Sequence, residues 1–173
     1  MIKNCLLFFI AIVILLACKS KTEEKIQKPK WTKEQSTQLN SKFSNEEEIK
    51  IRLYLKQHAN ANFKETGSGL RYWIYQDEEG PTVTSNQVVD IKFKMSLLDN
   101  TLIYQTEGNE VSQFKVDKDH VESGLMEGIK YLSEGDKAQF IIPSPLAHGL
   151  LGDRNKIPPL EVVLVDVELI KVY

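Results

Sequence analysis

Cysteine is almost missing from this chain, with only Cys5 and Cys18 among 173 residues, and the other side chains of conventional catalysis are equally thin. His58, His120 and His148 stand far apart, without cysteine or carboxylate companions at ligand spacing, so a metal site has no candidate ligands. No glycine-rich phosphate loop is present. Surface carboxylates are plentiful, but none sits on an apolar wall that would separate the pKa values of a pair. Hydrolase, metal and cofactor chemistry therefore have little to stand on. A membrane-spanning run is missing as well. Residues 6–16 are unbroken apolar sequence, short of the roughly 18–20 residues that a helix needs to cross a bilayer. With Lys3 before the run and Ala17 after it, residues 1–17 read as an export signal.

Leu15-Leu16-Ala17-Cys18 has the shape of a lipobox, in which a small residue precedes a cysteine that becomes acylated and forms the mature N-terminus. Once Cys5 leaves with the signal, Cys18 is the sole remaining thiol, and a lone free thiol sits badly in an exported protein. Lipidation at Cys18 resolves this and leaves the mature chain without a disulfide. Lys19, next in the chain, favours the outer membrane, so the expected location is the cell envelope, on its periplasmic side or surface. Residues 19–68 carry eleven Lys/Arg against seven Asp/Glu, whereas residues 69–173 carry ten against seventeen. A basic tether suits anionic headgroups, and an acidic globular part argues against nucleic acid as a partner.

The sequence predicts four segments: a signal at 1–17, a lipidated tether at 18–44, a helical segment at 45–68 and a globular domain at 69–173. Thr32-Lys33-Glu34-Gln35 and Ser44-Asn45-Glu46-Glu47 both fit the capping-box pattern of helix starts. The second predicts a helix to about Gln57, with Ile49 and Leu53 on one face and Ile51 and Leu55 on a neighbouring one. After Gly67-Ser68-Gly69 the period falls to two. Leu70, Tyr72 and Ile74 alternate with Arg71, Trp73 and Tyr75. Val89, Ile91, Phe93, Met95 and Leu97 define a half-buried strand, and Asp99-Asn100 a hairpin turn. Residues 111–116, then Ala138, Phe140 and Ile142, then Val163, Val165, Val167 and Leu169 mark further strands. Residues 124–132 form the single helical stretch among them. This order predicts an α+β fold: a twisted antiparallel β-sheet wrapped around one short helix, preceded by an N-terminal helical segment.

Six motifs follow one another across residues 69–173: the long strand Val89 to Asp99, Gly124-Leu125-Met126-Glu127-Gly128-Ile129, Glu134-Gly135-Asp136-Lys137-Ala138, Ile142-Pro143-Ser144-Pro145-Leu146-Ala147-His148-Gly149, Ile157-Pro158-Pro159 and Val165-Asp166-Val167-Glu168-Leu169. In this order and spacing they resemble the FK506-binding (FKBP) type of peptidyl-prolyl cis/trans isomerase. The resemblance implies rotation of X-Pro bonds, whose uncatalysed barrier is roughly 18–20 kcal/mol. A dry apolar pocket favours the twisted, less polar amide over the planar one, so neither metal nor cofactor is implied. Carried over, the resemblance assigns catalysis to Phe93, Tyr104, the backbone N–H of Glu122, and His148. It assigns the substrate-binding walls to Ile103, Phe114, Val121, Leu125, Ile157 and Val165. The chain departs from the family pattern at Phe93, Ile103-Tyr104, His148 and Val165, where the family carries tyrosine, Phe-Asp, tyrosine and an aromatic.

Without the resemblance, Phe93, Phe114, Val121, Leu125 and Val165 would be read as core, and His148 as a solvated loop residue. The implied partners are proline-containing peptides or unfolded protein segments, with a membrane held through the lipid, and a monomeric chain. The N-terminal arrangement resembles isomerase lipoproteins linked to gliding motility or surface secretion. Two alternatives share the fold: a non-catalytic peptide-binding or chaperone module, and a structural piece of a surface assembly.

Overall fold

The computed structural model describes residues 32–173. The expected signal, lipobox and most of the tether, Cys18 included, lie outside the described residues. The chain divides into two compact units, Met1–Gln35 and Ser36–Tyr173. Of the first, only residues 32–35 are described, and they form a reciprocal capping box. The Gln35 N–H donates to Thr32 Oγ1 at 3.2 Å, and the Thr32 N–H donates to Gln35 Oε1 at 3.0 Å.

That box opens helix α1, Lys33–Gln57. The helix thus begins well upstream of the second capping signal, because no glycine or proline interrupts residues 33–57. Ser44 and Glu47 are helix-interior residues, and Glu47 is turned inward instead of capping. The face that docks is Glu47, Ile51 and Tyr54, whereas Ile49 and Leu53 remain exposed.

Seven strands follow: β1 Lys64–Glu65, β2 Arg71–Gln76, β3 Val88–Leu97, β4 Leu102–Gln105, β5 Ser112–Lys115, β6 Lys137–Ile142 and β7 Val163–Val172. Helix α2, Ser123–Ile129, lies between β5 and β6. Every pairing is antiparallel, in the order β1-β2-β6-β7-β3-β4, with β5 also on β3. The hairpin predicted at Asp99-Asn100 joins β3 to β4, with Asn100 at φ 68°. This is the expected α+β architecture, with the N-terminal helix present.

Strand alternation divides the interior in two. Ala138, Phe140 and Ile142 of β6 and Val163, Val165, Val167 and Leu169 of β7 pack with Leu125, Met126, Ile129 and Leu132 from α2 and the turn after it. The intervening residues, Ile141 and Leu164, point to the opposite face and pack with Ile51 and Tyr54 of α1 and with Val162. One face of the sheet therefore holds α2 and the main core, and the other holds α1. Each fully buried aliphatic or aromatic side chain contributes on the order of 1.5–3 kcal/mol. Among the described residues no helix is long and apolar enough to cross a membrane.

Candidate active site

The predicted walls converge on the α2 side of the sheet. Ile103 of β4, Phe114 of β5, Leu125 in the first turn of α2, Ile157 and Val165 of β7 are all buried members of the main core, and Phe93, Tyr104 and Val121 pack against it partly exposed. Register explains the meeting: β3 pairs Met95 with both Tyr104 and Val165, and Val89 with Phe114. Residues more than seventy positions apart thereby share one apolar cluster. Val165 has no exposed surface, so its walls meet one another with no open cleft at that point.

Glu122 and His148 stand at the edge of this cluster. Glu122 precedes α2 with extended backbone (φ −53°, ψ 132°), and its carbonyl accepts the Met126 N–H at 3.0 Å. Its own backbone N–H donates to no acceptor among the described residues. His148 follows a 3-10 turn, Ser144–Leu146, and its Nε2 lies 3.1 Å from Glu122 Oε1. The contact is an ion-pair distance without the alignment of a hydrogen bond, so the buried Nε2 has no hydrogen-bond partner. Beside His148, an open hollow of about 690 Å³ is lined by Leu150, Leu151, Gly152, Asp153 and Arg154.

The sequence reading missed a second group at the same edge. The Tyr104 hydroxyl donates to the Asp153 carboxylate, and Asn155 Nδ2 donates to the Tyr104 oxygen at 3.2 Å. Lys156 Nζ lies 5.0 Å from the centre of the Tyr104 ring and donates to the Ile103 carbonyl at 3.0 Å. Asp153 Oδ1 also accepts the N–H groups of Asn155 and Ile157, each at 2.8 Å. The Tyr104 hydrogen bond, reinforced by these amides, holds the Asp153 carboxyl down to about 2. The same bond pushes the Tyr104 hydroxyl up. The carboxylate missing from the Ile103-Tyr104 pair is thus supplied from across the site by Asp153. In sequence, Asp153-Arg154-Asn155 signals only a local Asx turn. Nothing local marks Tyr104 as its partner.

Comparison with known proteins agrees with this geometry. The sequence profile of the FKBP-type peptidyl-prolyl cis-trans isomerases matches residues 80–170. The chain belongs to this family. It is 31% identical over 159 residues to the probable FKBP-type isomerase FkpA of Neisseria meningitidis, covering 83% of this chain and 58% of that protein. It is 33% identical over 96 residues to the isomerase Fkbp12 of Drosophila melanogaster, covering 54% of this chain and 89% of that protein. The chain thus spans little more than half the length of the Neisseria relative. Among solved structures, FkpA from Escherichia coli matches with a TM-score of 0.65 at 23% identity, covering 98% of this chain and 81% of that one. An isomerase from Pseudomonas syringae matches with a TM-score of 0.60 at 24% identity, covering 72% and 94%. At these identities the two structures speak to the fold.

Proposed function

We propose that the chain is a peptidyl-prolyl cis/trans isomerase of exported proteins, acting where a lipid on Cys18 holds it to a membrane. The observation that carries the reading is the pair of donors at the rim of the apolar cluster: the unused Glu122 N–H and the His148 ring. A proline ring would lie against Phe93, Leu125 and Ile157, with Ile103, Phe114, Val121 and Val165 behind them. The carbonyl before the proline twists away from its resonance plane as the bond turns. A dry wall disfavours the charge-separated planar amide more than the twisted one, and that difference lowers the barrier. The Glu122 N–H and His148 hold a flanking carbonyl so that one side of the bond is fixed while the other rotates. Tyr104, tied to Asp153, shapes the far rim. The substrates are proline-containing segments of unfolded or exported proteins, recognised by shape and apolar contact, and the enzyme is a monomer.

A direct test is a protease-free isomerisation assay on the full chain in detergent, with an Xaa-Pro peptide. The wild type is expected to accelerate isomerisation, and Phe93→Ala and Leu125→Ala to lower kcat/KM at least tenfold. Large-to-small changes in a core also cost about 2–5 kcal/mol of stability. Val167→Ala, buried in the same core on β7, is therefore the control and should retain activity in proportion to folded protein. Equal losses in all three would remove the site assignment. The full burial of Val165, where the family carries a ring, favours one alternative, a peptide-binding module without turnover. A wild type that slows aggregation of an unfolded client but accelerates no Xaa-Pro peptide would establish it.

The anchoring proposal covers residues 1–17 as signal, Cys18 as the acylated mature terminus, and the residues between Cys18 and α1 as tether. The domain behind it is residues 69–173, and the outer membrane is the favoured location. One acyl chain holds a protein only marginally, whereas two or more hold it stably. Labelled fatty acid is expected to enter the wild type and not Cys18→Ser, which should leave the membrane fraction almost completely. Equal retention of both would end the proposal. A role beside a gliding or surface-secretion machine belongs to the same reading, and its test is whether deletion stops surface movement or secretion.

A further inference from the structure

The segment between β6 and β7 carries both His148 and Ile157, and α1 grips it at both ends from the other face of the sheet. β6 ends at Ile142, and the chain leaves it through Pro143 into the Ser144–Leu146 turn. Glu47 of α1 reaches this point of departure. Its carboxylate accepts hydrogen bonds from the backbone N–H and the hydroxyl of Ser144, and both residues are buried, at 6% and 2% exposure. The chain returns to β7 through Glu161 and Val162. Lys50, one turn further along α1, donates from Nζ to both Glu161 carboxylate oxygens at 3.3 Å. Ile51 between them packs on Ile141, Val162 and Leu164. The helix thus spans the two roots of the loop.

A buried carboxylate is a costly choice for this place. Burial pushes the Glu47 carboxyl up, against the pull of the two Ser144 bonds, and Oε1 is left without a hydrogen-bond partner. An apolar residue would pack α1 as well, but it would leave the Ser144 N–H without an acceptor. That N–H opens the turn. The turn then closes on itself, with the Leu146 N–H on the Pro143 carbonyl at 2.9 Å and the Ala147 N–H on the Ser144 carbonyl at 3.0 Å. His148 is the next residue.

We propose that Glu47 is a positioning residue of the isomerase site: by holding Ser144 it fixes the turn that presents His148, and α1 is a working part of the site. The inference rests on the isomerase reading given above. Its test uses the full chain in detergent and two readouts, kcat/KM on an Xaa-Pro peptide and backbone hydrogen exchange. In Glu47→Ala, kcat/KM is expected to fall about tenfold, and exchange at the Leu146 and Ala147 amides to rise about tenfold. Exchange at Phe140 and Val165, in the strands, should stay unchanged. Glu47→Gln keeps an oxygen for the Ser144 N–H and should restore both quantities to within about twofold. Ser144→Ala should have a smaller effect, and one that does not add to that of Glu47→Ala.

Exchange that rises equally in the turn and the strands would mean global loosening and overturn the proposal. So would an active wild type whose kcat/KM is indifferent to Glu47→Ala. A wild type without isomerase activity removes both the site reading and this one. An active wild type with an indifferent Glu47→Ala removes only this one.

Discussion

Asp136→Ala is expected to cost the domain about 3–5 kcal/mol, from two hydrogen bonds to a charged acceptor at about 1.5–3 kcal/mol each. Asp136 is 1% exposed and ties together three parts of the chain. Its Oδ1 accepts the Glu78 N–H at 2.6 Å, beyond the end of β2, and its Oδ2 accepts the Ser133 N–H at 2.7 Å, beyond α2. Its backbone carbonyl accepts the Leu169 N–H of β7 at 3.0 Å. Alanine keeps the last bond and orphans the other two donors. Against a typical total of about 5–15 kcal/mol, that loss is large, and it corresponds to a fall in Tm of about 10–20 °C. Asp136→Asn should recover less than half of it, because the amide offers one acceptor and turns its NH2 toward the other donor. Thermal or urea unfolding reads the result. A loss below about 1 kcal/mol for Asp136→Ala would show that the carboxylate does not hold these elements together.

Gly152→Ala is expected to lower kcat/KM about a hundredfold while leaving the sheet folded. Gly152 has φ 62° and ψ −166°, a region that only glycine occupies without strain of about 1–3 kcal/mol. An added Cβ would lie 2.1 Å from the Ile157 carbonyl oxygen and 2.8 Å from the Pro158 backbone. Those are main-chain atoms, so no side-chain rotation relieves the clash. The two strands of the loop must part, taking Asp153 from Tyr104 and Ile157 from the apolar cluster. Gly149→Ala is the matched control, since Gly149 has φ 61° but open space around its Cβ position. It carries backbone strain without the clash, and its kcat/KM should fall only a few-fold. If the two variants lose activity equally, the close approach at Gly152 is not what shapes the site.

Local chemistry made much of the fold legible. Alternation in residues 88–97 and 163–172 marks strands because one face of each must leave water, and both strands are present. The capping pattern at Thr32 and Gln35 is satisfied within four residues, so it needs no tertiary partner. The candidate site was legible through its motifs, which place Phe93, Leu125, Ile157 and Val165 in one cluster. The docking face of α1 was not. Ile49 and Leu53 are as apolar as Ile51, and a helix of weak amphipathicity is oriented by whatever it meets. Here that is Ile141, Val162 and Leu164, on the sheet face that alternation alone leaves unassigned.

The long-range polar contacts were equally out of reach. Tyr104 and Asp153, Glu47 and Ser144, and Asp136 with Glu78 and Ser133 become neighbours only when the sheet closes. By itself the sequence determined the strands, the helix starts, the turn chemistry and the family, because period, capping and glycine placement act within a few residues. The tertiary structure decided which face of α1 is buried, which carboxylate meets Tyr104 and what holds the loop that carries His148. Those outcomes depend on strand register and on hydrogen-bond geometry between distant residues, which no local pattern encodes.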